Sequence, residues 1–185
     1  MTKHCLSVSD LSSEEIAEVM DLAEVGAPEQ VLAGLGAALV FEHPSARTRN
    51  ATEMAVVQLG GHPLAIRAEE VGIGVRESAE DVARTLACYH AVIGARVEHH
   101  RTLEAMAAAL DAARRRVPVV NLLSDAEHPT QALADALTLR QRFGGLSGLT
   151  LAYVGDANNV CRSLVALSAR TGMTLHVAAP GGYEL

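Results

Sequence analysis

Residues Ala37 to Arg49 read AALVFEHPSARTR, and the change of character along this stretch decides the fold. The first five residues are an unbroken apolar run, which predicts a buried strand over Ala37–Phe41. Ser45, Arg47, Thr48 and Arg49 then crowd into five residues ahead of a segment suited to a helix over Thr48–Leu59. A strand feeding a helix is the first half of a strand–helix–strand unit, and such units build parallel sheets. The turn also carries chemistry. A helix N-terminus leaves backbone N–H groups unpaired and its dipole favours negative charge, so two hydroxyls and two guanidiniums there suit an anion. Arg adds a planar fork that matches phosphate oxygens. Taken alone, the same residues also fit a capped helix start with two solvated arginines.

Working outward, the alternation continues. Upstream, Ser12-x-x-Glu15 is a capping box, and Ile16, Val19, Met20 and Ala23 follow at helical spacing, giving a helix over Ser13–Glu24. Gly26, Pro28, Gly34 and Gly36 mark a loop. Downstream, strands are expected over Pro63–Ile66, Ala91–Ala95, Pro118–Leu122, Leu149–Val154 and Thr174–Ala178. Helices are expected over Ser78–Tyr89, Thr102–Ala113, Pro129–Arg142 and Asn158–Thr171, with Val82 and Leu86 of the first turned inward. Short continuous apolar strands alternating with helices define an α/β fold, a mostly parallel sheet with helices on both faces. The break FGGLSG over 143–148 reads as a hinge, which divides the chain into domains 1–145 and 146–185. The second would hold only two strands, too few for an independent sheet, and the sequence looks unfinished after GGYEL.

The bulk numbers narrow the function. The 185 residues are 49% apolar, enough for a sizeable core, and the net charge of −7 with scattered basic residues gives no nucleic-acid surface. Local positive charge at Arg47 and Arg49 still suits an anion. Cys5, Cys88 and Cys161 form no ligand or disulfide pattern and read as reduced thiols of a cytoplasmic protein. The N-terminus MTKHCLSVSD lacks the apolar core of a signal peptide. The longest apolar stretch, Leu32–Phe41, is ten residues with two glycines, too short to span a membrane.

Ligands of parallel α/β sheets bind beyond the carboxyl ends of the strands. Four polar clusters occupy such positions: the loop at Ser45–Arg49, Arg96 in IGARVEHH, SDAEHPTQ over Ser124–Gln131, and GDANN over Gly155–Asn159. Ser45, Arg47, Thr48 and Arg49 would hold a phosphate. Arg96, His128 and Gln131 can donate to a carbonyl oxygen that turns negative under attack. No Ser–His–Asp order or carboxylate pair stands out, which favours catalysis by positioning and electrostatics. Each feature also has a structural reading. His128 before Pro129 suits a cap or a surface position, Arg96 could pair with Glu98, and Asp156 and Asn158 could be N-caps. His99 and His100 lack a third ligand at useful spacing, so no metal is expected there and the pair reads as solvated loop. Arg114–Arg116 reads as an exposed helix end.

Four long motifs resemble the ornithine carbamoyltransferases, within the aspartate/ornithine carbamoyltransferase superfamily. FEHPSARTRNATEMAVVQLGGHPLAI resembles the carbamoyl-phosphate loop, its helix and the next strand. GIGVRESAEDVARTLACYHAVIGARV, NLLSDAEHPTQALADALTL and LTLAYVGDANNVCRSL follow in the family's order. The resemblance implies a carbamoyl-phosphate-binding domain followed by the start of a second, Rossmann-like α/β domain for the amino acid. It implies carbamoyl transfer from carbamoyl phosphate to ornithine, in arginine biosynthesis or ornithine metabolism, giving citrulline and phosphate. Ser45, Ala46, Arg47, Thr48 and Arg49 would bind the phosphate, Thr48, Arg96 and His128 would polarise the carbonyl, Gln131 would meet the carbamoyl amide, and Asn159 would bind ornithine. No cofactor or metal is implied, and the family's usual state is a homotrimer with the site at a subunit boundary. The Asp-x-x-x-Ser-Met-Gly and His-Cys-Leu-Pro motifs of the family have no counterpart up to Leu185, and Gly72 stands where relatives place a cross-subunit Gln or His. The HPTQ form is the more usual one in aspartate carbamoyltransferases. These departures leave two alternatives: transfer to another amine such as aspartate, or an inactive relative that binds carbamoyl phosphate or phosphate only.

Overall fold

The computed structural model describes residues 2–26 and 29–185; Pro28, expected in the first loop, lies outside the described residues. In chain order the elements are a 3-10 turn (Val8–Asp10), α1 (Ser13–Glu24), β1 (Gly36–Phe41), α2 (Ala46–Gln58), β2 (His62–Arg67), α3 (Ala68–Val71), α4 (Ala79–Leu86), β3 (Val92–Arg96), α5 (His100–Ala112), β4 (Val119–Leu123), α6 (Pro129–Phe143), β5 (Thr150–Val154), α7 (Asn159–Thr171) and β6 (Thr174–Ala178). The chain divides into two compact units, Met1–Leu6 with Ala27–Ser124 and Ser7–Gly26 with Asp125–Leu185.

The first unit is a four-stranded parallel sheet of order β2-β1-β3-β4. The crossovers β1→β2 and β2→β3 run in opposite directions across the sheet. Right-handed connections therefore put α2 on one face and α4 on the other, with α5 beside α4. The side-chain period of two sorts the strands accordingly. Ala38, Val40, Ile93, Ala95 and Val119 pack with Val82 of α4 and with Leu103, Met106 and Leu110 of α5. Leu39, Phe41 and Leu122 form a smaller cluster with Ala65 and Val120. Burying each large side chain contributes roughly 1.5–3 kcal/mol, so the α4–α5 face carries the greater part of this core. Gly36 begins β1 instead of closing the loop. A Cβ there would lie 2.7 Å from His90 Nδ1, so the approach of that ring requires glycine.

The second unit packs helices against a separate parallel pair, β5-β6. Ile16 and Met20 of α1, Ala132 and Ala136 of α6, and Leu164 and Leu167 of α7 share one core with Val8, Leu146 and Met173. Helices and loops thus supply burial that two strands alone cannot. Local signals set the helix ends. Ser12 and Glu15 close the capping box expected for α1. Gly144 and Gly172, both left-handed, end α6 and α7. The face of β5-β6 is incompletely covered, and Val154 is 81% exposed. Among the described residues no helix is long and apolar enough to cross a membrane.

Candidate active site

In the first unit, α2 starts two residues earlier than its apolar pattern predicts, because Ser45 is the N-cap. Its hydroxyl oxygen accepts from Thr48 N at 3.4 Å and donates to Thr48 Oγ1 at 3.0 Å. Arg49 N makes the first helical bond, to Ser45 O at 3.0 Å. The N–H groups of Ala46 and Arg47 come before that bond, in the orphan turn that an anion can satisfy. Arg47, Thr48 and Arg49 are therefore first-turn residues and not loop residues.

Arg96 is brought to this turn by sheet register. It ends β3 opposite Phe41, the last residue of β1, and its carbonyl accepts from Glu42 N at 2.9 Å. A register irregularity between Ala95 and Arg96 re-aims the strand end, as bulges do next to sites. The Arg96 guanidinium donates to Thr48 Oγ1 at 3.3 Å, while its buried Nε has no hydrogen-bond partner. Burial, and then the charge of Arg47, hold the Arg96 pKa below the ordinary guanidinium range. Arg stays charged regardless. The result is a pair of like charges, one partly desolvated and short of a partner, over a helix N-terminus. The alternative in which Arg96 pairs with Glu98 is not what the structure contains: Glu98 lies 3.8 Å from His43 Nε2. Arg49 is engaged elsewhere, with Nε donating to Glu53 Oε1 at 2.7 Å. It lines a cleft of about 680 Å³ that it shares with Ser45 and Ala46, but not with Arg47, Thr48 or Arg96.

The second unit holds the other expected site residues. His128 occupies the N-cap position of α6 with no side-chain cap bond, and Pro129 follows in the first turn. Thr130 Oγ1 lies 3.3 Å from His128 Nδ1. Gln131 donates to Asp135 Oδ1 at 2.9 Å, one turn along α6. Asn158 is the N-cap of α7, as one reading of the sequence had it, and its Oδ1 accepts from Val160 N at 3.0 Å. Asn159 opens the helix, and its Oδ1 accepts from the same N–H at 3.0 Å. The structure therefore gathers Ser45, Arg47, Thr48 and Arg96 in one unit and carries His128, Gln131 and Asn159 on the other.

Two polar networks escaped the sequence reading. His100 is not solvated loop: it is half-buried in the first turn of α5, with Nδ1 2.8 Å from the Oγ of buried Ser124. Asn121, fully buried in β4, donates to Ser124 Oγ at 3.3 Å and to Leu6 O at 2.8 Å. In the second unit, Glu127 accepts from Ser7 Oγ at 2.6 Å and from Ser163 Oγ at 3.0 Å. Ser7-x-x-Asp10, a capping box of the 3-10 turn, was the available signal for the second network. A buried Asn within an apolar strand was the signal for the first. Among the described residues no group of three or more His, Cys, Asp or Glu side chains is arranged to hold a metal ion.

Known proteins resemble this chain in both sequence and fold. Residues 3–141 match the family profile described as the aspartate/ornithine carbamoyltransferase carbamoyl-P binding domain, and residues 147–185 match that of the Asp/Orn binding domain. The chain belongs to the aspartate/ornithine carbamoyltransferase family. The relatives it resembles most specifically are on the ornithine side. It is 46% identical over 188 residues to the ornithine carbamoyltransferase of Thermus thermophilus, covering all of this chain and 61% of that relative. A solved ornithine carbamoyltransferase structure from Thermus thermophilus superposes with a TM-score of 0.90 at 45% identity, covering 100% of this chain and 64% of the other. The Pyrococcus furiosus ornithine carbamoyltransferase gives the same TM-score at 38% identity, over 98% and 59%. The chain thus spans about 60% of the length of the curated relatives it matches.

Proposed function

We propose that this chain binds carbamoyl phosphate and takes part in carbamoyl transfer to ornithine. The observation that carries the reading is the Arg96 guanidinium. It is partly buried, its Nε has no hydrogen-bond partner, and it is drawn to Thr48 at the N-terminus of α2 beside Arg47. An anion that meets both arginines and the free helix N–H groups relieves that arrangement at once. In this reading Ser45, Arg47, Thr48 and the Ala46 amide hold the phosphate. Arg49 contributes less, because Glu53 already pairs with it. Thr48, Arg96 and His128 polarise the carbonyl, Gln131 meets the carbamoyl amide, and Asn159 binds the amino-acid part of ornithine. Residues 1–145 serve the donor and 146–185 begin the acceptor domain.

The neutral side-chain amine of ornithine attacks the carbamoyl carbon and forms the C–N bond. The C–O bond to phosphate breaks, and the departing phosphate takes the proton from the amine. Positioning and charge stabilisation supply the catalysis, and no covalent enzyme intermediate is needed. We place the reaction in arginine or ornithine metabolism, in the cytoplasm, in a homotrimer, on the strength of the family membership. The test is citrulline formation from carbamoyl phosphate and ornithine by the purified chain, with Arg47→Ala as control. Turnover lost on that substitution supports the whole reading. Saturable carbamoyl-phosphate binding without turnover keeps the donor half and rejects transfer by this chain. Failure to bind carbamoyl phosphate rejects the assignment of the loop.

A further inference from the structure

Glu127 and Ser163 form a small network whose position suggests more than packing. Ser163 is fully buried on α7. Its Oγ accepts from His128 N at 2.9 Å and donates to Glu127 Oε2 at 3.0 Å. Glu127 Oε1 accepts from Ser7 Oγ at 2.6 Å, and Oε2 accepts from Val8 N at 3.3 Å. One carboxylate therefore gathers the start of the 3-10 turn, the loop into α6 and the middle of α7, all within the second unit. Hydrogen bonds to an ionised acceptor are stronger than neutral ones, so the carboxylate is a firm anchor. What it anchors is the backbone on the N-terminal side of the His128 Cα. The residue before His128 is Glu127 itself, and the His128 N–H is held by Ser163. Ser163 is also one helical turn beyond Asn159. Helices move as rigid bodies, so the Ser163 hydroxyl passes a displacement of the α7 N-terminus to the His128 main chain.

We propose that Glu127 and Ser163 are positioning residues that hold His128 and couple its main chain to α7. This rests on the role given to His128 above, where His128 polarises the carbonyl. Neither residue is required to touch a substrate. Their function is to fix the direction of the imidazole from behind and to make that direction depend on where α7 sits.

The test uses the full chain with carbon-13-labelled histidine, comparing Ser163→Ala and Glu127→Gln with the unsubstituted protein. Ser163→Ala deletes the bridging hydroxyl at nearly constant volume. Glu127→Gln keeps the shape and weakens the acceptor, so it serves if the alanine variant does not fold. The expected result is that the ring signals of His128 move in both variants while those of exposed His176, in the same unit, stay put. The double variant should move His128 no further than the larger single change, because both substitutions cut one network. In the citrulline assay, kcat should fall about tenfold, the order expected from one lost hydrogen bond, with KM for carbamoyl phosphate held within about twofold. An unchanged His128 ring, or one that moves only together with every other histidine, overturns the proposal. So does a loss of activity confined to KM. If the unsubstituted chain makes no citrulline, the transfer reading fails, while the ring signals still decide the positioning role.

Discussion

The two ends of the four-stranded sheet meet the same electrostatic problem with different residues. At the carboxyl end, Arg47 and Arg96 bring two like charges together, and burial adds to the cost on Arg96. At the amino end, His62 begins β2 and His90 precedes β3, and they too repel. Burial, and then the charge of His62, push the His90 pKa down from its ordinary value. A histidine in that position can release its proton and remove the repulsion. An arginine cannot, since its pKa stays far above any working pH. The amino end therefore solves its problem internally. The carboxyl end keeps two charges and an unsatisfied Nε, which the proposed anion would meet. The lesson is that clustered cations point to a ligand when the cation is one that cannot be neutralised.

The largest effect should come from breaking the carboxyl end. Arg47→Ala removes one of the two guanidiniums, and a charge-assisted hydrogen bond to an anion contributes roughly 1.5–3 kcal/mol. Phosphate or carbamoyl-phosphate affinity measured by calorimetry should fall about 100-fold. Without ligand, the same substitution should leave thermal stability unchanged or raised, since it also removes a repulsion. A variant that loses stability while keeping its affinity would show that Arg47 pairs within the protein and not with a ligand.

At the amino end the corresponding substitution is steric. Gly36→Ala places a methyl group 2.7 Å from His90 Nδ1, and 3.6 Å from the Tyr89 carbonyl oxygen. His90 Nδ1 is buried against this glycine, so the ring must be displaced to admit the methyl. Overpacking of this kind destabilises by about 1–3 kcal/mol. Chemical denaturation should show that loss, and His90→Ala in the same background should recover most of it. Phosphate binding at the opposite end of the sheet should be unaffected.

These contrasts also mark what the sequence could reveal. The helix Ser13–Glu24 and the strand Thr174–Ala178 are where the residues place them, because a capping box and a short segment closed by Pro180-Gly181-Gly182 are local signals. The start of α2 is two residues earlier than the apolar pattern suggests. Ser45 reads as a ligand group, and its second use as N-cap depends on a backbone angle. Arg96 at a strand end was legible as a candidate site residue. Its desolvation, its bond to Thr48 and its missing pairing with Glu98 depend on register between strands 55 residues apart in their last members, Phe41 and Arg96. The His90–Gly36 approach and the Glu127–Ser163 network were invisible for the same reason. They are tertiary contacts between residues with no shared pattern. The four-residue α3 has too little sequence to carry a periodic signal.

A smaller effect should follow from pH at the amino end. The folded-state pKa of His90 lies below the value of an unfolded histidine, near ~6.5, so the unfolded chain binds the proton more readily. The stability associated with neutral His90 is present above that unfolded value and is lost as pH falls through the folded one. Thermal unfolding between about pH 7 and pH 5 should therefore steepen in the unsubstituted chain relative to His90→Gln. Parallel curves for the two proteins would remove His90 from the account. Phosphate binding should not follow this difference, because the proposed anion site of the first unit is built from arginines and not histidines.

The smallest effect is expected at Arg49, and it sharpens the carboxyl end the most. Arg47, Arg49 and Arg96 belong to or reach the first turn of α2, but only Arg47 and Arg96 are electrostatically short of partners. Arg49 Nε donates to Glu53 Oε1 at 2.7 Å, an i,i+4 pair on an exposed helix face. Such pairs contribute about 0.3–0.5 kcal/mol. Turning Arg49 toward a phosphate would forfeit the pair and leave Glu53 near the anion, so its net contribution to binding is small. Arg49→Ala should weaken phosphate binding by no more than about threefold, against about 100-fold for Arg47→Ala, and the gap should narrow in a Glu53→Gln background, where Arg49 is released. Equal losses for the two arginines would mean that the ion pair opens on binding. The anion would then be held by three guanidiniums, and the unsatisfied Nε of Arg96 would no longer single out the proposed site.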